Sequence, residues 1–171
     1  MNKTTMQTYT GALVDLAAIS PEDIRLPDIA HALSLVNRFT GHTRVPYSVA
    51  QHSVMVSELC APEHALWGLL HDASEAYLGD VATPLKHMLP EYRELEERVQ
   101  RAIAVRFELS WPMPQDVHVS DKRALMFEKR ALLLVDHDWG IEAEAVGGAL
   151  VALSWMDAKD VFEERYKELV K

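Results

Sequence analysis

The chain holds a single cysteine, Cys60, in 171 residues. No internal disulfide can close and no thiolate pair exists for a structural zinc site, so Cys60 is expected to be a small buried hydrophobe. Long apolar runs are missing too, and the N-terminal stretch 1–10 is polar, which gives the expectation of a soluble, intracellular protein without membrane contact. Repeats, low-complexity tracts and Gly/Ser linkers are absent. The 7 glycines and 8 prolines fall singly between helical segments, as in one packed bundle rather than a string of modules. Positive charge is also scarce, with 17 Lys and Arg against 26 Asp and Glu, a net charge of −9 and a pI near 5.3. A field of that sign repels polyanions and disfavours nucleic acid as a partner. A small anionic substrate stays compatible, because a pocket cation with a few local Arg or Lys residues reverses the field there.

What is present is apolar content of 49%, sufficient for one core, and helical periodicity almost throughout. The expectation is one all-α domain over residues 1–171, with a short β-hairpin around Thr10-Gly11 as an N-terminal appendage. Ser20-Pro21-Glu22-Asp23 reads as an N-cap with proline at the first helical position, and Pro27-Asp28 restarts a helix carrying Ile29, Leu33 and Val36. Ser48 and Gln51 form a capping-box pattern opening a helix with Val49, His52, Val56 and Leu59, stopped by Pro62. The next helix is predicted over 63–77, with Gly79 as its left-handed terminator. Thr83-Pro84 caps a short turn. From Pro90 a helix has its acids early and Arg101 and Arg106 late, which suits the helix dipole. Residues 111–114 must be a loop, and a long helix is predicted from 117 to about 136, with Leu125, Leu132 and Val135 on one face. Ser154 and Asp157 open a final helix that turns Trp155, Ala158, Phe162, Tyr166 and Leu169 toward the core.

His71-Asp72 directly follows the most apolar stretch of the chain, Ala65-Leu66-Trp67-Gly68-Leu69-Leu70. These two polar residues should therefore enter the interior, where they need partners. A cation satisfies an imidazole nitrogen and a carboxylate together. His52 and Asp121 on neighbouring helices would complete a nitrogen and oxygen set with positions left open, although Asp116, Asp136 and Asp138 lie near Asp121 in sequence. Glu75 follows His71 by one helical turn and Asp80 lies just past the helix end, so two further carboxylates can border the metal.

His52, the block HDASEAYLGDVATPLK (residues 71–86) and Asp121 in SDKRAL resemble the HD-domain phosphohydrolases. Within that superfamily, NRFTGHTRVPYSVAQHS (residues 37–53) together with the 71–86 block is similar to the short phage dATP/dNTP triphosphohydrolases and the bacterial 5'-deoxynucleotidases. The resemblance covers roughly residues 28–130. It implies an HD-domain helical bundle, His52, His71, Asp72 and Asp121 as ligands of Zn, Co, Mn or Mg, and Glu75 positioning or deprotonating the attacking water. Asp80 would be its acidic partner or contact the deoxyribose. Arg38 would hold phosphate, Phe39 would pack against sugar or base, and Lys86 would grip phosphate beside Thr83 and Pro84. The sequence departs from the 5'-deoxynucleotidase pattern at Phe39, where that pattern has Trp, and has one residue fewer before the first His.

Chain length favours the triphosphohydrolase reading, with deoxynucleoside and triphosphate as products; the 5'-deoxynucleotidase alternative releases phosphate from dNMPs. A small deoxynucleotide substrate, a cytoplasmic location in a bacterial cell or phage-infected host, and a homo-oligomer follow from the same resemblance. A second-messenger phosphodiesterase and a noncatalytic nucleotide sensor are the other classes open, while no paired histidine motif supports a di-iron oxygenase. Arg44 and Arg93 are spare cations, and His31, beside Ala30 and Ala32, is a candidate for burial near the site.

Overall fold

Ser48 starts the helix around which the others pack. In the computed structural model, which describes residues 3–171, its hydroxyl accepts the Gln51 N–H at 3.2 Å and α2 (Val49–Leu59) follows, ending before Pro62. Val49, Ala50, His52, Ser53, Val56 and Ser57 are all buried, a stripe too wide for one packing partner. Accordingly α1 (Leu26–Leu35), α3 (Ala65–Leu70), α7 (Gln115–Leu132) and α8 (Trp155–Leu169) all pack against α2. The expected capping box is only half made. The Gln51 side chain leaves Ser48 and bridges the Val151 carbonyl at 2.6 Å and the Leu153 N–H at 2.9 Å, tying a distant loop to the helix start.

The chain is mostly helical, as its periodicity predicts. Among the described residues no helix is long and apolar enough to cross a membrane. One core runs from Val14 through Ile29, Leu33, Val49, Leu69, Leu70 and Ile103 to Phe162. Each fully buried aliphatic side chain there contributes roughly 1.5–3 kcal/mol relative to exposure. The N-terminal hairpin, β1 (Thr5–Gln7) antiparallel to β2 (Leu13–Asp15), is part of this packing rather than an appendage. Met6 lies opposite Val14, Val14 is fully buried, and the Asp28 carboxylate in α1 accepts the Thr10 N–H at 2.6 Å and its hydroxyl at 3.1 Å.

Four other expectations need correction. The helix predicted over 63–77 divides into a single turn (Pro62–His64), α3 and α4 (Glu75–Leu78), because the chain tightens at 71–74 into i→i+3 bonds such as Ala73 N–H to Leu70 O at 3.0 Å and Glu75 N–H to Asp72 O at 2.9 Å. Gly79 does have a positive φ of 78°, but its ψ of 158° is extended rather than left-handed helical. The helix predicted to reach about residue 136 stops at Leu132. Arg44 satisfies its last carbonyls, its N–H bonding Leu132 O at 2.9 Å and its guanidinium Ala131 O at 2.5 Å, while Leu134 and Val135 are exposed. Trp155 opens α8 as an exposed residue, leaving Ala158 and Phe162 as its buried anchors. The remaining elements, α5 (Thr83–Lys86) and α6 (Pro90–Arg106), pack together beyond α4, and residues 133–154 contain no regular element.

The approach of α3 to α2 depends on Gly68. A Cβ there would lie 2.8 Å from Cys60 Sγ and 2.9 Å from Ser57 Cα, closer than packed atoms tolerate. Gly68→Ala is therefore expected to destabilise the protein by about 1–3 kcal/mol despite its better helix propensity, read as a lower urea midpoint at unchanged slope.

Candidate metal centre

α2, the tightened segment after α3, and α7 bring polar atoms together at one buried point. His52 Nε2 lies 3.2 Å from His71 Nε2, 3.5 Å from Asp72 Oδ2 and 3.2 Å from Asp121 Oδ1. His71 Nε2 lies 3.1 Å from Asp72 and 3.9 Å from Asp121. His52, His71 and Asp72 each offer a ligand atom within 4.8 Å of the others and could hold a metal ion, with the Asp121 oxygen adjoining them. The break at 71–74 is what turns consecutive residues toward one point. It also leaves the His71 carbonyl without a helical partner, and the Gln100 side-chain amide of α6 bonds it.

The other ring nitrogens decide what this point can accept. His52 Nδ1 meets the Glu128 carboxylate at 2.8 Å, and His71 Nδ1 meets the Gly68 carbonyl at 2.7 Å. Both partners are acceptors here, so both Nδ1 atoms carry the hydrogen and both Nε2 atoms present lone pairs. Two lone pairs facing at 3.2 Å between two carboxylates repel unless a cation lies among them. The nitrogen and oxygen donors of this set could hold a metal ion. Without one, a proton does the same work. Burial and the Arg38 guanidinium oppose charge on His52, but Glu128 and Asp121 outweigh them and push its pKa up to about 10. Burial likewise opposes ionisation of Asp72, yet His71, His52 and Arg38 hold it below the usual carboxylate range, and His52 and His71 do the same for Asp121.

Glu128 is the residue that sequence reasoning missed. It is fully buried, holds His52 through Oε1, and through Oε2 accepts Arg38 Nη2 at 3.2 Å and Nε at 3.3 Å. Its signal was available. It lies two helical turns after Asp121 on the stripe Val117, Ser120, Ala124, Glu128, Leu132, where an acid among buried positions requires a partner.

Arg38 also reaches Asp72, with Nη1 at 3.7 Å. Phe39 and Thr40 follow it with left-handed φ of 54° and 53°, strain on the order of 1 kcal/mol each for non-glycine residues. The Phe39 ring lies 5.5 Å from the Arg38 guanidinium carbon. Glu75 is buried, with Oε1 3.5 Å from Lys86 Nζ and no hydrogen-bond partner for Oε2. Burial, then the charges of Asp72 and Asp80, raise its pKa well above the ordinary range against the pull of Lys86 and Arg38. Asp80 is partly buried and also shifted up, chiefly by burial. Lys86 additionally pairs with Glu96 at 2.6 Å. Thr83 and Pro84 stand exposed on α5, one turn or less from Lys86. Arg44 is engaged at the end of α7, Arg93 is exposed, and His31 stacks on Tyr9 of the hairpin at 3.7 Å.

Removing Glu128 leaves two buried cationic groups without their acceptor. Glu128→Ala is expected to cost about 3 kcal/mol in urea unfolding of the metal-free protein, and Glu128→Gln less, since it keeps one acceptor and the same shape. Equal stability of wild type and Glu128→Ala would show that His52 and Arg38 find other partners.

No family model matches this sequence. Curated relatives do. The uncharacterised protein YfdR of Escherichia coli K12 is 35% identical over 168 residues, 96% of this chain and 94% of the relative. An uncharacterised protein of Rhodobacter capsulatus is 35% identical over 158 residues, 86% of this chain and 76% of the relative. A 5'-deoxynucleotidase of Photobacterium profundum is 27% identical over 124 residues, 66% of this chain and 55% of the relative. With one third of positions shared with YfdR along nearly the full length of both proteins, the chain belongs to the YfdR family.

Proposed function

We propose that the chain is a metal-dependent HD phosphohydrolase of deoxynucleotides, residues 1–171 being one such domain, with His52, His71, Asp72 and Asp121 as metal ligands. The observation that carries this reading is the pair of facing Nε2 atoms between Asp72 and Asp121, with a buried carboxyl and two cations alongside. Support for the substrate class comes from the relative named a 5'-deoxynucleotidase. That name moves the preferred reaction to phosphate release from dNMPs; the triphosphohydrolase reading, which rested on chain length, remains the second and shares every catalytic group.

A bound divalent ion supplies charge that polarises a phosphoryl oxygen and makes water more acidic. The chain's own residues do the rest. Glu75, buried beside the cluster with Oε1 near Lys86 and no hydrogen-bond partner on Oε2, is suited to accept the proton of the attacking water. Arg38 and Lys86 offset the charge that gathers on phosphate, and Thr83 and Pro84 form the rim beside Lys86. As the bond from water oxygen to phosphorus forms and the bond from phosphorus to the 5' oxygen breaks, Asp80 is suited to return a proton to the departing oxygen. Phe39 is placed next to Arg38 for the sugar or base.

The test is incubation of protein loaded with Zn, Co, Mn or Mg with each dNMP, dNTP and rNTP, with products separated by anion exchange. Phosphate from dNMPs is expected, abolished in Asp72→Ala and lowered about 10²–10⁴-fold in kcat by Glu75→Gln. Triphosphate from dATP would select the second reading, and no turnover of any nucleotide with any metal would overturn both.

A further inference from the structure

Residues 133–154 look like a plain connection but are fastened to the body in three places. Asp136 pairs with Lys129 at 2.5 Å, Glu144 with Arg123 at 3.2 Å, and Gln51 bonds both Val151 and Leu153. Lys129 is unusual in being a buried lysine, 3% exposed, immediately after Glu128 in α7. Its ammonium lies 5.1 Å from the centre of the Trp139 ring. One ring contact is thus a fixed cation, and the cation is itself fixed by Asp136. Yet Trp139 remains 42% exposed. An indole that is anchored but left open is a surface prepared for contact rather than core.

Phe39 lies beside it, ring centres 6.3 Å apart and planes at 55°. The order in space runs from Asp72 to Arg38 at 3.7 Å, from Arg38 to the Phe39 ring at 5.5 Å, and from Phe39 to Trp139. Phosphate, sugar and base follow one another in the same order in a nucleotide. The left-handed backbone at Phe39 and Thr40 is retained where it displays this ring. We propose that Trp139, with Phe39 at its side, seats the nucleobase by stacking, so that the loop 133–154 supplies the base-binding wall of the site. This rests on the deoxynucleotide reading above. Stacking uses the face that all bases share, so the seat favours purines by area and discriminates weakly by base edge.

The experiment compares phosphate release from dAMP and from the base-free ester 2-deoxyribose 5-phosphate. For Trp139→Ala the preference for dAMP, as the ratio of kcat/KM values, should fall about 10-fold or more, through KM for dAMP rather than kcat. Trp139→Phe should restore most of the preference. Trp139→Leu, which keeps apolar bulk in the loop, should lose it as Ala does, separating stacking from loop folding. Binding gives a second readout, in which dAMP should quench tryptophan fluorescence in the wild type and much less in Trp139→Phe. An unchanged preference in Trp139→Ala and Trp139→Leu, or equal losses on both esters, would overturn the base seat while leaving the phosphohydrolase reading intact. Failure of the wild type to hydrolyse any deoxynucleotide would overturn that reading and this inference with it.

Discussion

The complete burial of His52 between Glu128 on one ring nitrogen and a second imidazole on the other is the constraint from which the rest of the structure follows. A neutral imidazole can donate to one carboxylate, but its other nitrogen then needs a donor or a cation. The carboxylates near it, Asp72, Asp121 and Glu128, together with Glu75 and Asp80, outnumber the fixed cations Arg38 and Lys86. Burying an excess of negative charge is among the most expensive choices a small domain can make. It is tolerable when a divalent ion completes the set.

Packing is arranged so that this point can exist. Ala50, Ser53 and Ser57 keep α2 slim, and Gly68 lets α3 approach until its end reaches His52. The i→i+3 tightening at 71–74 then aims His71 and Asp72 together, and Gln100 of α6 takes the carbonyl that this tightening frees. α7 contributes twice, with Asp121 at the cluster and Glu128 behind it, so one helix places a carboxylate beside His52 and orients its ring. Arg38 links these parts by touching both Glu128 and Asp72.

The helices were legible because their signals are local. Ser48 and Ser154 cap as their sequences say, and the 3.6-residue stripes of α1 and α2 locate their buried faces, as that of α8 does at Ala158 and Phe162 but not at Trp155. The residues gathered at the centre were legible because a histidine and an aspartate after a strongly apolar run cannot be left alone. What escaped depends on contacts far apart in sequence. The end of α7 is set by Arg44, which replaces the turn that residues 133–136 would have formed. The break after α3 is stabilised from α6, and the hairpin joins the core through Asp28 of α1. Glu128 was not singled out because, although it lies on the buried stripe of α7, the partners that explain it, His52 and Arg38, lie 76 and 90 residues away.

The most direct test of the central claim is to locate the ion. Crystals grown with manganese or cobalt, measured at the absorption edge of that metal, should give one strong anomalous peak bounded by His52 Nε2, His71 Nε2 and the carboxylates of Asp72 and Asp121. Absence of a peak there at full metal occupancy in solution, or a peak held by other residues, would contradict the account.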